Sequence, residues 1–226
     1  MSKAPAQLEL LWDDGAKHPR LDEIEKRARA SGYLRLIGAD EAGRGPLAGP
    51  VVAAAVALPD GFRLDGLNDS KQLSEAERLR LFRPILNAAR AWAVAFGSPA
   101  EIDRDNILRA SLNAMARAVA KAEGKGESFD LVVVDGNQAL PLNRPQWAVV
   151  HGDARCMAVA AASVVAKVVR DLWMQAADRR WPDYGFARHK GYPTSEHRAA
   201  LARLGPCPIH RRTFRGVREI QQTKID

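Results

Sequence analysis

Hydrophobic positions along the chain fall into two textures. Between Leu21 and Ala30 they recur at helical spacing, with a proline just upstream and Gly32 as a stop, so a helix is predicted there. Leu34–Ala39 and Val51–Leu58 are instead short continuous apolar runs, separated by a glycine- and proline-rich connection, the pattern of paired buried strands. Ala91–Phe96 reads as a third strand. Phe129–Val134 is apolar and β-branched throughout, which predicts a central strand covered on both faces, and Gln146–Val150 is a shorter fifth. Helical spacing returns after Ser74, where Glu77 three residues on makes a capping box and Pro84 marks a kink or break. It also fills Ile102–Ala122 and the alanine- and valine-rich stretch from Ala154 to Ala177, with shorter pieces beyond Thr194. Residues 1–20 show no sustained period and read as an arm. Strands joined first by short connections and then by helices imply a mixed α/β sheet flanked by helices, whose strand order this pattern does not give.

Composition narrows the class. A chain of 226 residues, 46% hydrophobic, buries enough apolar surface for one compact domain with small appendages. Cys156 and Cys207 stand far apart without a CxxC partner, which argues for free thiols in a reducing compartment rather than a disulfide framework or a zinc cluster. Glu9, Asp13 and Asp14 occupy the region where a signal peptide needs an apolar run, and the longest apolar stretch is too short to span a bilayer. The expectation is a soluble, cytoplasmic protein with no membrane association. The formal charge of +7 is concentrated: positions 178–218 hold ten basic residues against three acids. Such a run is either a solvated face or a surface for a polyanion, and its clustering favours the latter.

Four carboxylates stand where a sheet would gather them. Asp40 and Glu41 close the first predicted strand of the sheet, Asp135 closes the fourth, and Asp153 precedes the long helix after the fifth. Sites in open α/β sheets form outside the carboxyl ends of strands, so these residues can converge from distant parts of the chain. Hard oxygen donors without a neighbouring histidine or thiolate pair suit Mg²⁺ or Mn²⁺ better than zinc. Taken singly, Asp153 would serve as a helix cap and Asp135 as a turn residue before Gly136. Adjacent acids ending an apolar strand gain nothing from packing, so Asp40 and Glu41 point more directly to chemistry. The loop from Gly43 to Ala48 satisfies a dinucleotide-binding glycine fingerprint formally. However, Pro46 and Pro50 lead into another strand instead of the helix that motif requires, which argues against a nicotinamide dehydrogenase.

Further motifs accompany these acids: D-E-A-G-R-G-P-L-A-G-P-V at 40–51, N-D-S-K at 68–71, V-D-G-N at 134–137, and G-D-A at 152–154 with A-A-A-S-V-V-A-K-V-V-R-D at 160–171. Y-G-F-x-x-H-K-G-Y-x-T at 184–194 and H-R-R-T-F at 210–214 follow. Together, in this order, they resemble bacterial ribonuclease HII. The resemblance implies an α/β, ribonuclease H-like fold with a mixed five-stranded sheet and a C-terminal helical extension. Residues 1–32 would then be an N-terminal arm and helix, 33–178 the catalytic domain and 179–226 the basic extension. It implies a metal-dependent endoribonuclease that cuts the RNA strand of RNA/DNA hybrids and incises 5′ of single ribonucleotides in duplex DNA, leaving 5′-phosphate and 3′-hydroxyl ends. Asp40, Glu41, Asp135 and Asp153 would be both catalytic and metal-binding, holding Mg²⁺ or Mn²⁺ in a two-metal mechanism. Gly43, Arg44 and Gly45 would contact the ribonucleotide 2′-hydroxyl, Tyr192 the RNA-to-DNA junction and Lys71 a phosphate, in a monomer. His151 departs from the family pattern, where lysine or glycine is expected. Another two-metal nuclease or a strand-transfer enzyme of the same fold would share the carboxylates but have no use for the glycine loop beside a 2′-hydroxyl. A non-catalytic duplex-binding protein would require the acids to be caps and turns. The histidines His189, His197 and His210 read as phosphate contacts or structural hydrogen-bonders, since no helical HxxxH pair occurs.

Overall fold

The computed structural model describes residues 8–11, 21–67, 73–124 and 126–222. Its centre is a mixed sheet in the order β1-β6-β5-β2-β3-β4. Strands β2 (Leu36–Ala42), β3 (Val51–Ala57) and β4 (Ala91–Gly97) form an antiparallel meander. Strands β5 (Leu131–Asp135) and β6 (Gln146–Val149) add in parallel on the other side of β2. The five expected strands are therefore present. A sixth, β1 (Leu8–Leu11), pairs in parallel with β6 and lies inside the stretch that lacks any sequence period.

Helix placement follows from the side chains of β3, every one of which is buried. Ala53, Ala55 and Ala57 face α4 (Ile107–Glu123), whereas Ala54 and Val56 face α6 (Met157–Arg180) and α2 (Glu75–Ala88). Small residues on both faces let helices sit close on the sheet. Gly38 shows how close: a Cβ there would lie 2.4 Å from the backbone of Ala158, so only glycine lets the start of α6 cross β2. Helix α1 (Glu23–Ala30) covers the β5–β6 side of that same face through Ile24 and Ala28.

Several expected boundaries shift for local reasons. The capping box at Ser74 and Glu77 is present, but α2 continues through Pro84, held by Leu81 and Ile85 in the core. The predicted helix over Ile102–Ala122 is two, α3 (Pro99–Asp105) and α4, divided at Asn106, which adopts φ 68° and caps α4 with its side chain. The helix expected from Ala154 is likewise divided: α5 (Gly152–Arg155) ends at Cys156, whose extended backbone bridges to Asp22 before α6 begins. Beyond α6 the chain makes a 3₁₀ turn at Pro182–Tyr184, then α7 (Phe186–His189), α8 (Ser195–Leu204) and α9 (Arg218–Gln222). No helix among the described residues is long and apolar enough to cross a membrane.

Candidate active site

Parallel pairing places two of the acids together. Ala39 is in register with Val134, so the next positions, Asp40 and Asp135, leave the ends of adjacent strands side by side. Strand alternation turns both toward the α6 face, because Val133 packs on that side and Val134 on the α4 side. Asp153 arrives through the tight connection from β6 to α5. There the Gly152 N–H donates to Asp135 Oδ1 at 2.8 Å, tying that turn to the end of β5. His151 adopts φ 57° in this turn, a left-handed conformation that glycine takes without strain. This accounts for why the position otherwise suits glycine.

Oxygens of Asp40, Asp135 and Asp153 all lie within 4.8 Å of one another. Alternation sends Glu41 away from this group; its carboxylate lines the same cleft, 3.4 Å from the Arg44 guanidinium. Burial pushes the Asp40 carboxyl well above the usual carboxylate range, and the charges of Asp135, Glu41 and Asp153 push it further, against the Ser163 hydroxyl, which favours the ion. Three converging carboxylates, two of them buried, fit a hard divalent cation, which would relieve their mutual repulsion.

The cleft beside this group, about 470 Å³, is lined by Asp40, Glu41 and Asp135 together with Gly43, Arg44, Gly45 and Tyr192. Lys71 lies outside the described residues. Lining the same cleft are Arg78, Ser163 and Lys167, which the sequence reading passed over. The available signal was spacing: Ser163, Lys167 and Arg170 recur at helical intervals as polar interruptions of an alanine- and valine-rich helix, marking one face. The Ala160–Ala166 stretch is buried throughout, and Ser163 within it lines the cleft.

Two residues counted with the basic surface are not on it. Arg211 is fully buried and Lys190 nearly so, its ammonium donating to the Ala187 carbonyl. Arg198, Arg212, Arg215 and Arg218 do remain exposed. Arg198 and Arg215 line a groove that begins at Gly45 and passes Pro193, so the exposed charge continues from the cleft.

The three histidines are structural. Cys207 N–H can only donate, so His210 Nδ1, 3.0 Å away, accepts and the ring proton sits on Nε2. That proton points at His197 Nε2, 3.1 Å away, leaving His197 Nδ1–H to donate to the Tyr192 carbonyl at 3.0 Å. His189 stacks on His197 and accepts from the Gly191 N–H. The chain requires neutral rings and holds the turn that presents Tyr192. Burial pushes His197 and His210 down from 6.5 to about 4. The unfolded chain therefore binds more protons than the folded one between these values, so stability is full above pH 6.5 and falls as pH drops toward 4. The expected loss is about 3 kcal/mol per histidine. Urea unfolding across that window checks it, and a midpoint that stays flat down to pH 5, above the titration of most carboxylates, would refute it.

A ribonuclease H-like sheet with acids converging from two adjacent strands and the following helix defines a class: metal-dependent phosphodiester hydrolases. The chain matches the family model described as ribonuclease HII over residues 37–217. It is 53% identical over 196 residues to ribonuclease HII of Syntrophotalea carbinolica, covering 87% of this chain and 92% of that protein. It is 49% identical over 209 residues to ribonuclease HII of Geobacter metallireducens, covering 92% and 96%. Among solved structures, ribonuclease H2 from Pyrococcus horikoshii superposes with a TM-score of 0.66 at 26% identity, over 84% of this chain and 98% of that one. The chain belongs to the ribonuclease HII family and is an endoribonuclease of the ribonuclease H type.

Proposed function

We propose that the protein hydrolyses the RNA strand of RNA/DNA hybrids and incises duplex DNA on the 5′ side of a single ribonucleotide, leaving 5′-phosphate and 3′-hydroxyl ends. The observation that carries this reading is that one cleft is lined by Asp40, Glu41 and Asp135 at one end, and by the Gly43–Gly45 loop and Tyr192 beside them. Asp40, Glu41, Asp135 and Asp153 are the catalytic set and would hold Mg²⁺ or Mn²⁺. Two cations so bound would supply activation of water and stabilisation of the leaving oxygen in an in-line displacement. Gly43, Arg44 and Gly45 would bring backbone to the sugar, and a side chain at Gly43 would displace this loop by pressing on Arg170. A Cβ there would lie 2.0 Å from Arg170 Nε. Tyr192, 39% exposed at the edge of the cleft, offers its ring to the nucleotide step that follows, and Lys71 would take a phosphate.

The test is an end-labelled DNA duplex carrying one ribonucleotide. Incision at its 5′ side with Mg²⁺ or Mn²⁺, and none with chelator, is expected. Cleavage in chelator would remove the metal assignment, and cleavage at many positions would favour a general nuclease.

The groove past Gly45 gives a second expectation. If it neutralises about four phosphates, log affinity for duplex DNA falls against log salt with a slope of roughly −3.6. Replacing Arg198, Arg212 and Arg215 with glutamate weakens binding for every sequence alike and flattens that slope. An unchanged slope in the triple variant would place the duplex elsewhere.

A further inference from the structure

Arg170 and Arg211 are buried guanidinium groups, and among the described residues neither has a carboxylate within ion-pair distance. An unpaired buried cation is costly unless its donors are satisfied. Here backbone carbonyls satisfy them. Arg170, on α6, donates to Pro50, Ala48 and Lys190, each at 3.1 Å. Arg211, from the C-terminal extension, donates to Gly49 at 3.0 Å, Arg44 at 2.9 Å and Gly43 at 2.6 Å. Most of the loop's carbonyls are thus drawn onto two cations.

Peptide planarity converts this into a statement about donors. In a trans peptide the carbonyl of one residue and the N–H of the next point in opposite directions, and no peptide bond here is cis. With the Gly43 and Arg44 carbonyls turned onto Arg211, the N–H groups of Arg44 and Gly45 are turned the other way. Both residues line the cleft, and among the described residues neither N–H has an intramolecular partner. Their neighbours do: Leu47 N–H donates to Gly191 and Gly49 N–H to Ile209. Among the described residues the loop thus presents two successive free donors at its tip, while the Leu47 and Gly49 donors at its base are engaged.

We propose that Arg211 is a specificity-determining positioning residue: by holding the Gly43 and Arg44 carbonyls it fixes the Arg44 and Gly45 N–H groups as paired donors to the ribonucleotide sugar. The proposal rests on the reading of this loop as the 2′-hydroxyl site. Arg211 touches no substrate; its effect passes through two peptide planes. Lysine at this position keeps a charge but cannot reach the same three carbonyls with a planar fork. A loop displaced by about 1 Å loses on the order of 10²-fold in rate. Arg211→Lys should therefore lower kcat on a single-ribonucleotide duplex by about 10²-fold, with KM, set by phosphate contacts along the groove, little changed.

The experiment measures kcat and KM for wild-type and Arg211→Lys proteins on single-ribonucleotide and all-DNA duplexes, with thermal unfolding of each. Equal cleavage of both duplexes by the wild type would overturn the hydroxyl reading itself. A discriminating wild type with an Arg211→Lys variant of unchanged kcat and discrimination would overturn the role of Arg211 alone. Should the variant fail to fold, amide hydrogen exchange of the wild type in chelator decides the point. Arg44 and Gly45 amides protected by the single-ribonucleotide duplex and not by all-DNA support the paired donors, and protection of neither amide overturns them.

Discussion

Asp135→Asn and Asp40→Asn are each expected to abolish cleavage while the fold persists. Loss of a partner one step removed from a metal ligand costs roughly 10–100-fold, so loss of a ligand itself should exceed about 10²-fold. The two variants separate chemistry from stability. Asp40 is buried against other carboxylates, and its carboxyl is held well above the usual range, so in the metal-free protein its charge is destabilising. Removing that charge in Asp40→Asn should raise the unfolding midpoint measured in chelator while activity disappears. Added Mg²⁺ should raise the midpoint of the wild type, by about 2.7 kcal/mol of stability at a concentration a hundred times its Kd, and have little effect on Asp135→Asn. Near-native cleavage by either folded variant would sink the assignment.

A DNA duplex with one ribonucleotide should be cut about 10⁴-fold more efficiently than the same duplex without it. A site built to hydrogen-bond a hydroxyl leaves its own buried groups unpaired when that hydroxyl is missing, and discrimination of this size follows. In the proposed site Tyr192 would contribute from the other side of the sugar. Its ring lies beside Gly45, with the Lys167 and Arg170 cations each 5.8 Å from its centroid. Tyr192→Ala should therefore depress cleavage of the single-ribonucleotide duplex more than it depresses binding to all-DNA. Comparable cutting of both duplexes by the wild type would remove hydroxyl recognition.

The strands of the central sheet were legible because burial on both faces leaves a plain mark: β3 and β5 are apolar at nearly every position. The acids were legible as well, since Asp40, Glu41 and Asp135 interrupt such runs where desolvation would otherwise exclude them. Elements defined by backbone geometry were not. Asn106 and Cys156 end helices through a left-handed and an extended conformation that helical periodicity runs straight across. β1 is held by pairing with β6, and no period in four residues announces an edge strand.

Sequence alone thus determined the strands, the acidic character of the site and the three aspartates that converge there, but not Arg78, Ser163 and Lys167 beside them. The tertiary structure decided how those residues are used. Adjacent in sequence, Asp40 and Glu41 are separated by strand alternation, so that Asp40 joins Asp135 and Asp153 while Glu41 faces Arg44. Within one basic run, Arg198, Arg212 and Arg215 stay in solvent, whereas Arg211 is buried under the glycine loop and the histidines lock into neutral rings behind Tyr192. Charge and residue type are properties of the chain, but whether a guanidinium meets a phosphate or a carbonyl depends on what the fold packs against it.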